Sequence, residues 1–417
     1  MERSSDPVVI VGAGLAGLCC ARRLHEAGVP ALVLEADDVV GGRVRTDDVD
    51  GFRLDRGFQV LQTAYPEARR VLDYAGLDLR PFEPGAWVRT GGRFVRMLDP
   101  WRRPASALSG LFAPIGTRPD KLRVARLRMA TVRADAHGRF DRDDRSTIAE
   151  LRDLGFSGTI IDRLFRPWFG GVFFDRDLET SARFFRFTFA MFALGDSALP
   201  SAGMAAIPRQ IAAGLPDGSV RVGTRVQSVG ADHVVLDDGS RVDARAVVVA
   251  VEGPEAARLA GDRVEVPVAR STTCVQFAAD RAPVDRPVLM LAGDDDGPVG
   301  NVVVPSNVAP SYAPAGQALV SASIVGVPDL DDGALEREVR RQLRGWFDAQ
   351  VDTWRLLRID RIRFALPACM PGGAPPGPTR SADGAIVCGD FLEAPSIQGA
   401  MTSGRHAAEA VLESLPG

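Results

Sequence analysis

Lysine is nearly missing from this chain: of 50 basic side chains in 417 residues, Lys121 alone is lysine and the rest are arginine. Chemistry that needs an amine side chain therefore has one candidate. Tyrosine is scarce, with Tyr65, Tyr74 and Tyr312, and the four histidines (His25, His137, His233, His406) include no pair at ligand spacing. Metal chemistry is left without support. Five cysteines (Cys19, Cys20, Cys274, Cys369, Cys388) form an odd set with no CxxC, which argues against a disulfide framework or a zinc site and for a reducing compartment, the cytoplasm. No run reaches the ~18 apolar residues of a membrane span, although peripheral membrane contact stays open. A net charge of −4 makes no case for nucleic acid as a partner. What is present is 46% hydrophobic and 25% charged, ordinary for a globular chain, with length for two or three domains and a large buried cofactor.

The strongest local pattern stands at the start. Val8-Val9-Ile10-Val11 reads as a strand, Gly12-Ala13-Gly14-Leu15-Ala16-Gly17 as a tight turn, and residues 18 to 28 as a helix. Gly12 permits the turn, Gly14 leaves no side chain between backbone and a pyrophosphate, and Gly17 lets the helix lie against the strand. A second strand over residues 30 to 34 ends at Glu35, 18 residues beyond Gly17, near the spacing at which an acid accepts hydrogen bonds from an adenosine ribose. The adenosine half of a dinucleotide binds here, and Glu35 alone leaves NAD open. Next, Gly41-Gly42-Arg43 combines close backbone approach with a guanidinium, an anion clamp. An apparent hairpin follows, from residues 51–55 to 57–61.

The run from Val8 to Thr46 resembles the N-terminal signature of the flavin-containing amine oxidoreductase superfamily, which includes monoamine and polyamine oxidases, protoporphyrinogen oxidase and plant-type carotenoid desaturases. The matching marks are GxGxxGLxxAxxLxxxG at 12–28, Leu34-Glu35-Ala36 and Gly41-Gly42-Arg43. A second match is the strand around Val226. A third is Gly389-Asp390 with the helix opening at Ser396-Ile397-Gln398-Gly399-Ala400. The resemblance implies FAD, with Arg43 near the pyrophosphate and Gly57, Phe58 and Gln59 near the isoalloxazine. It further puts the Val226 backbone on the adenine, Gly389 and Asp390 at the ribityl chain, and Ile397 and Ala400 at the helix end facing the flavin. Asp37 departs from the pattern, standing where many members carry a basic residue. The implied fold is α/β, a Rossmann-like FAD-binding domain (residues 1–65, 203–260 and 379–417) with an inserted α+β substrate domain (66–202 and 261–378).

Within the inserted parts, residues 67–75 read as helix, and residues 87–94 as a hairpin turning at Thr90-Gly91-Gly92. Residues 120–134 read as a basic helix whose Leu122, Ala125, Met129 and Val132 recur at helical spacing. Its arginines suit a solvated face, or alternatively an anionic lipid surface. Nine of the 20 phenylalanines fall between 164 and 194, so a core or a cavity wall there is built of phenylalanine. Residues 203–215 read as helix and 220–226 as one strand. The later expected elements are strands at 273–278, 288–291 and 319–325, a helix at 335–347 and a linker at 371–378.

In amine oxidases of this superfamily a lysine near the flavin and an aromatic pair are typical. The strand expected to match, residues 271–277, holds no lysine, and the aromatic position falls on Ser396. Cys369 stands 20 residues before Gly389, a poor match to covalent flavin attachment, and reads as a buried structural cysteine. Desaturation or isomerisation of a hydrophobic, polyene- or lipid-like molecule fits best. Amine or protoporphyrinogen-type oxidation is the second reading and a mainly structural FAD the third. With no second GxGxxG for nicotinamide, electrons are expected to leave to oxygen or a quinone. No catalytic residue is assigned.

Overall fold

The chain is described by a computed structural model apart from residues 1–5, 104–112, 136–143, 262–263, 266–267, 295–296, 374–376, 382 and 416–417. His137 and the centre of the expected 371–378 linker lie outside the described residues.

The opening strand Val8–Val11 is buried along its whole length, as a run of four apolar β-formers demands when both faces of a parallel sheet are covered. It pairs in parallel with Ala31–Leu34 on one side and Ala246–Val249 on the other. The sheet order is Val220–Arg221, Ala31–Leu34, Val8–Val11, Ala246–Val249, Ile386–Val387 and Thr379–Arg380, the last strand antiparallel. Helix Leu15–Glu26 leaves the opening strand and packs on the C-terminal helix Ile397–Ser414 so closely that a Cβ on Gly404 would lie 2.0 Å from the Ala16 carbonyl oxygen. The α/β architecture is the expected one.

A second, seven-stranded sheet runs Arg355–Pro367, Ala269–Ala279, Ala318–Val325, Val299–Val303, Leu289–Ala292, Gly85–Thr90, Arg93–Leu98. Alternation divides its faces. Val275, Phe277, Met290 and Val302 pack against Leu335, Val339 and Leu343 of helix Asp332–Phe347. Val88 and Leu291 face the phenylalanine-rich helices Arg166–Phe173 and Ala182–Leu194. There Phe165, Phe169 and Phe185 are fully buried, with Phe169 edge-on to Phe185 at 4.8 Å.

Several elements differ from their expected form. The hairpin near the start pairs Thr46–Val49 with Phe52–Asp55 around Asp50-Gly51; residues 57–60 are irregular, and Leu61–Gln62 pairs instead with Ser197–Pro200. The expected helix at 67–75 is Pro66–Val71, ended where Leu72 turns extended. The expected strand at 220–226 is two, Val220–Arg221 and Val226–Val229, lying in different sheets. The basic helix, Arg118–Asp135, buries Asp120, Leu127 and Thr131, while Leu122 and Met129 are exposed. Its inner face is set by the buried Asp120 carboxylate, which accepts from Ser157 and Thr117.

Candidate active site

The turn after the opening strand forms one end of a cavity of about 1110 Å³, above the roughly 300–1,000 Å³ of a pocket for one drug-sized ligand. A Cβ on Gly12 would sit 2.7 Å from the Ala250 carbonyl oxygen, and one on Gly17 only 1.9 Å from that of Gly12. Both positions are closed by backbone. Gly14 is the opposite case, since a Cβ there meets nothing within 4 Å and its residue lines the cavity. Helix Leu15–Glu26 has no side-chain N-cap and no acid in its first turn, so its N–H groups and positive end are left for an anion. Gly17 alone among the expected site residues does not line the cavity; it sets the approach of helix to strand.

Glu35 is 9% exposed and holds the turn in shape: Oε2 accepts from the Ala13 N–H at 2.7 Å and Oε1 from the Asp37 N–H at 2.9 Å. Each carboxylate oxygen keeps a further lone pair for a ribose hydroxyl. Asp37, the departure from the superfamily pattern, is paired with Arg45 at 2.7 Å. Arg45 itself does not line the cavity, and its guanidinium is shared between Asp37 and Asp38.

Arg43 and Asp390, expected at separate parts of a cofactor, meet each other: Nη2 donates to Oδ1 at 2.6 Å, and Nη1 donates to the Ala365 carbonyl at 3.1 Å. Glu252 also lines the cavity here, and burial raises its carboxyl above the usual range, the charge on Arg43 opposing this. The guanidinium therefore faces two acids. Gln59 fixes the neighbouring loop by donating to the carbonyls of Arg43 (2.9 Å) and Arg56 (3.0 Å). At the other end of the chain, Ser396 caps the C-terminal helix by accepting from the Gly399 N–H at 3.0 Å, and Ile397 and Ala400 of its first turn line the cavity. Val226 lines it too, its carbonyl accepting from Arg258. Gly41, Gly42, Gly57, Phe58 and Gly389 complete the expected residues brought to this one space.

Two strongly polar features went unread in the sequence. Strand Arg355–Pro367 contributes Arg358, tied to Asp47 at 2.7 Å, and Asp360, which pairs with Arg358 at 2.9 Å; the alternation of charged and apolar residues over Arg361-Ile362-Arg363-Phe364 is the signal that could have found it. Beneath the hairpin, Asp55 is buried. Its carboxylate accepts from Thr46 Oγ1, the Met204 N–H and Tyr312 Oη, and burial outweighs these bonds to push it up to about 6.

The cavity continues into a chamber walled by Trp168, Phe174, Phe184, Phe192, Leu289 and Leu291. The phenylalanine-rich segment thus supplies both core and wall. Lys121 does not line the cavity; its Nζ donates to the carbonyls of Ala113 and Ile115. Cys369 does not line it either, and burial pushes its thiol up to about 11. Among the described residues no cluster of three metal-ligating side chains exists, and no helix is long and apolar enough to cross a membrane.

An exposed helix N-terminus over a side-chain-free glycine, an acid positioned for a ribose and a volume beyond one small ligand fit FAD. The comparisons agree. The family model described as flavin containing amine oxidoreductase matches residues 15–412. The chain is 30% identical over 183 residues to coproporphyrinogen III oxidase of Propionibacterium freudenreichii subsp. freudenreichii, covering 41% of this chain and 32% of that protein. It is 32% identical over 171 residues to the 15-cis-phytoene desaturase of Narcissus pseudonarcissus, covering 38% and 30%. These matches span about a third of the relatives' length. An oxidoreductase from Methanosarcina mazei shares the fold across 98% of this chain and 100% of its own, with a TM-score of 0.70 at 18% identity.

Proposed function

The chain belongs to the flavin-containing amine oxidoreductase family, and from that premise we propose that it is an FAD-dependent oxidoreductase that desaturates or isomerises a hydrophobic, polyene- or lipid-like small molecule. One observation carries the reading: the cavity wall supplied by residues 168–192 and 289–301 contains no charged side chain, while every charged lining residue belongs to segments 35–56, 225–255, 358–363 and 390. Bound FAD supplies acceptance of a hydride from carbon. The chain's own residues hold the dinucleotide along residues 12–17, 35 and 41–43, exclude water with aromatic rings, and orient an apolar substrate. Among the described residues the chamber wall offers no carboxylate, imidazole or ammonium for proton transfer, which suits reaction at an unactivated carbon more than oxidation of an amine. Within this reading, residues 1–65, 203–260 and 379–417 form the FAD-binding domain and the remainder the substrate domain. The electron acceptor is oxygen or a quinone, and five free cysteines favour the cytoplasm.

Oxidation of a porphyrinogen or an amine is the second reading, supported by the likeness to coproporphyrinogen III oxidase. The decisive experiment mixes FAD-loaded protein anaerobically with three panels, polyenes, porphyrinogens and amines, and follows flavin absorbance near ~450 nm together with double-bond geometry in the recovered polyenes. Bleaching by a polyene, or a change in its geometry, is expected. Rapid bleaching by amines or porphyrinogens, with polyenes inert, overturns the proposal.

A further inference from the structure

Two of the three tyrosines are held by the protein itself: Tyr74 Oη donates to the Thr63 carbonyl at 3.3 Å and Tyr312 Oη to Asp55 at 2.9 Å. Tyr65 is the exception. It is 8% exposed and lines the cavity. Its Oη makes no hydrogen bond with a described residue, yet it is not among the atoms that packing closes off, as it closes off Trp168 Nε1 and Asn301 Oδ1. The hydroxyl therefore opens onto the cavity. Its ring is fixed by stacking on Phe187, with centroids 6.1 Å apart and planes within 3° of parallel. Phe187 belongs to helix Ala182–Leu194, whose Phe184, Thr188 and Phe192 wall the apolar chamber. Two residues past Tyr65, the Glu67 N–H donates to Gln398 Oε1 at 2.9 Å, in the first turn of the C-terminal helix whose Ile397 and Ala400 line the cavity. Tyr65 thus stands between the chamber and the helix end expected to face the flavin.

A phenylalanine would fill the same stack; the hydroxyl adds a donor that the fold does not use. Left without a partner it costs stability, and a ligand oxygen in the cavity would recover that cost. Burial alone pushes the phenol well above its ordinary range, so near neutral pH the group donates and does not ionise. The wall that residues 168–192 supply beside it carries no charged side chain, and a charged ligand group there would lose its hydration uncompensated. We propose that Tyr65 binds the substrate directly: its Oη donates a hydrogen bond to one uncharged oxygen, a hydroxyl or a carbonyl, on an otherwise apolar molecule, and so fixes which end of that molecule lies next to the flavin. The proposal rests on the reading of an apolar substrate given above and adds the group that orients it.

The test titrates three isoprenoid probes of one carbon skeleton, farnesene, farnesol and farnesal, into FAD-loaded protein and reads the shift in flavin absorbance. Farnesol and farnesal should each bind about tenfold more tightly than farnesene, equivalent to about 1.4 kcal/mol, because a site that hydrogen-bonds an oxygen rejects the analogue that lacks it. Farnesal can only accept, so its preference isolates donation by the protein. In Tyr65→Phe, which keeps the ring stack, all three should bind alike at the farnesene level, while FAD affinity read by flavin fluorescence stays that of the parent. Equal binding of the three probes to the unsubstituted protein, or an oxygen preference that survives Tyr65→Phe, overturns the inference and leaves the apolar reading standing. A tenfold loss of FAD affinity in Tyr65→Phe overturns it too, by giving the hydroxyl to the cofactor. Failure of all three probes to bind overturns the apolar reading and the inference with it.

Discussion

Two substitutions of the same kind, Gly14→Ala and Gly17→Ala, should fail in opposite ways. At Gly14 the backbone is ordinary, φ −71°, and the added methyl points into the cavity with no atom within 4 Å. Unliganded protein should therefore lose no more than about 0.5–1 kcal/mol, the cost of a poorer N-cap. With the cofactor bound, the same methyl competes with the pyrophosphate for space, and overfilling a packed site costs about 1–3 kcal/mol, or roughly 5- to 150-fold in dissociation constant. At Gly17 the methyl would lie 1.9 Å from the Gly12 carbonyl oxygen. Helix and strand would have to separate by about an ångström, and the loss should reach or exceed about 3 kcal/mol even without cofactor. Urea melts of apoprotein and FAD titrations followed by flavin fluorescence measure the two quantities separately. Gly14→Ala binding FAD with unaltered affinity, or Gly17→Ala matching the parent in stability, would refute the assignment of the turn.

Two further outcomes follow from buried charge. Asp55 ionises at about 6 in the fold against 3.8 for a free side chain, so its contribution is complete below about pH 3.8 and is lost as pH rises through about 6, roughly 3 kcal/mol in all. Asp55→Asn should flatten that part of a urea-melt pH series; an unchanged slope places the titration elsewhere. Glu150, 3% exposed, accepts from Arg186 Nε at 3.0 Å, and Arg186 is itself 8% exposed. Glu150→Gln should cost about 3 kcal/mol in a denaturant melt by leaving the arginine buried without counter-charge, and a loss within about 0.5 kcal/mol would mean that water reaches the pair.

What the sequence made legible is what is local. A glycine turn, the acid ending the next strand and a serine capping the last helix each declare themselves within a few residues, because backbone geometry and spacing along the chain dictate them. The seam between Arg43 and Asp390 spans 347 positions, and no spacing rule reaches that far. The inner face of helix Arg118–Asp135 was misread for a related reason: burial there follows a hydrogen-bonded carboxylate, Asp120, and not the apolar periodicity that Leu122 and Met129 suggest. Strand Arg355–Pro367 was hidden by its charges, which are spent on partners from the hairpin.

The order of strands in the first sheet has a temporal consequence. Val8–Val11 is made more than 200 residues before one of its neighbours, which begins at Ala246, and that strand's other neighbour begins only at Ile386. At roughly 5–20 residues per second, the glycine turn waits on the order of tens of seconds before the carbonyl of Ala250, which fixes Gly12, and the helix that covers it have been made. Cofactor capture is therefore a late event in the life of the nascent chain. During that interval an apolar strand paired on one edge by Ala31–Leu34 keeps its other edge open until Ala246–Val249 is made, so cellular yield of this flavoprotein should depend on translation speed and chaperone supply as well as on FAD.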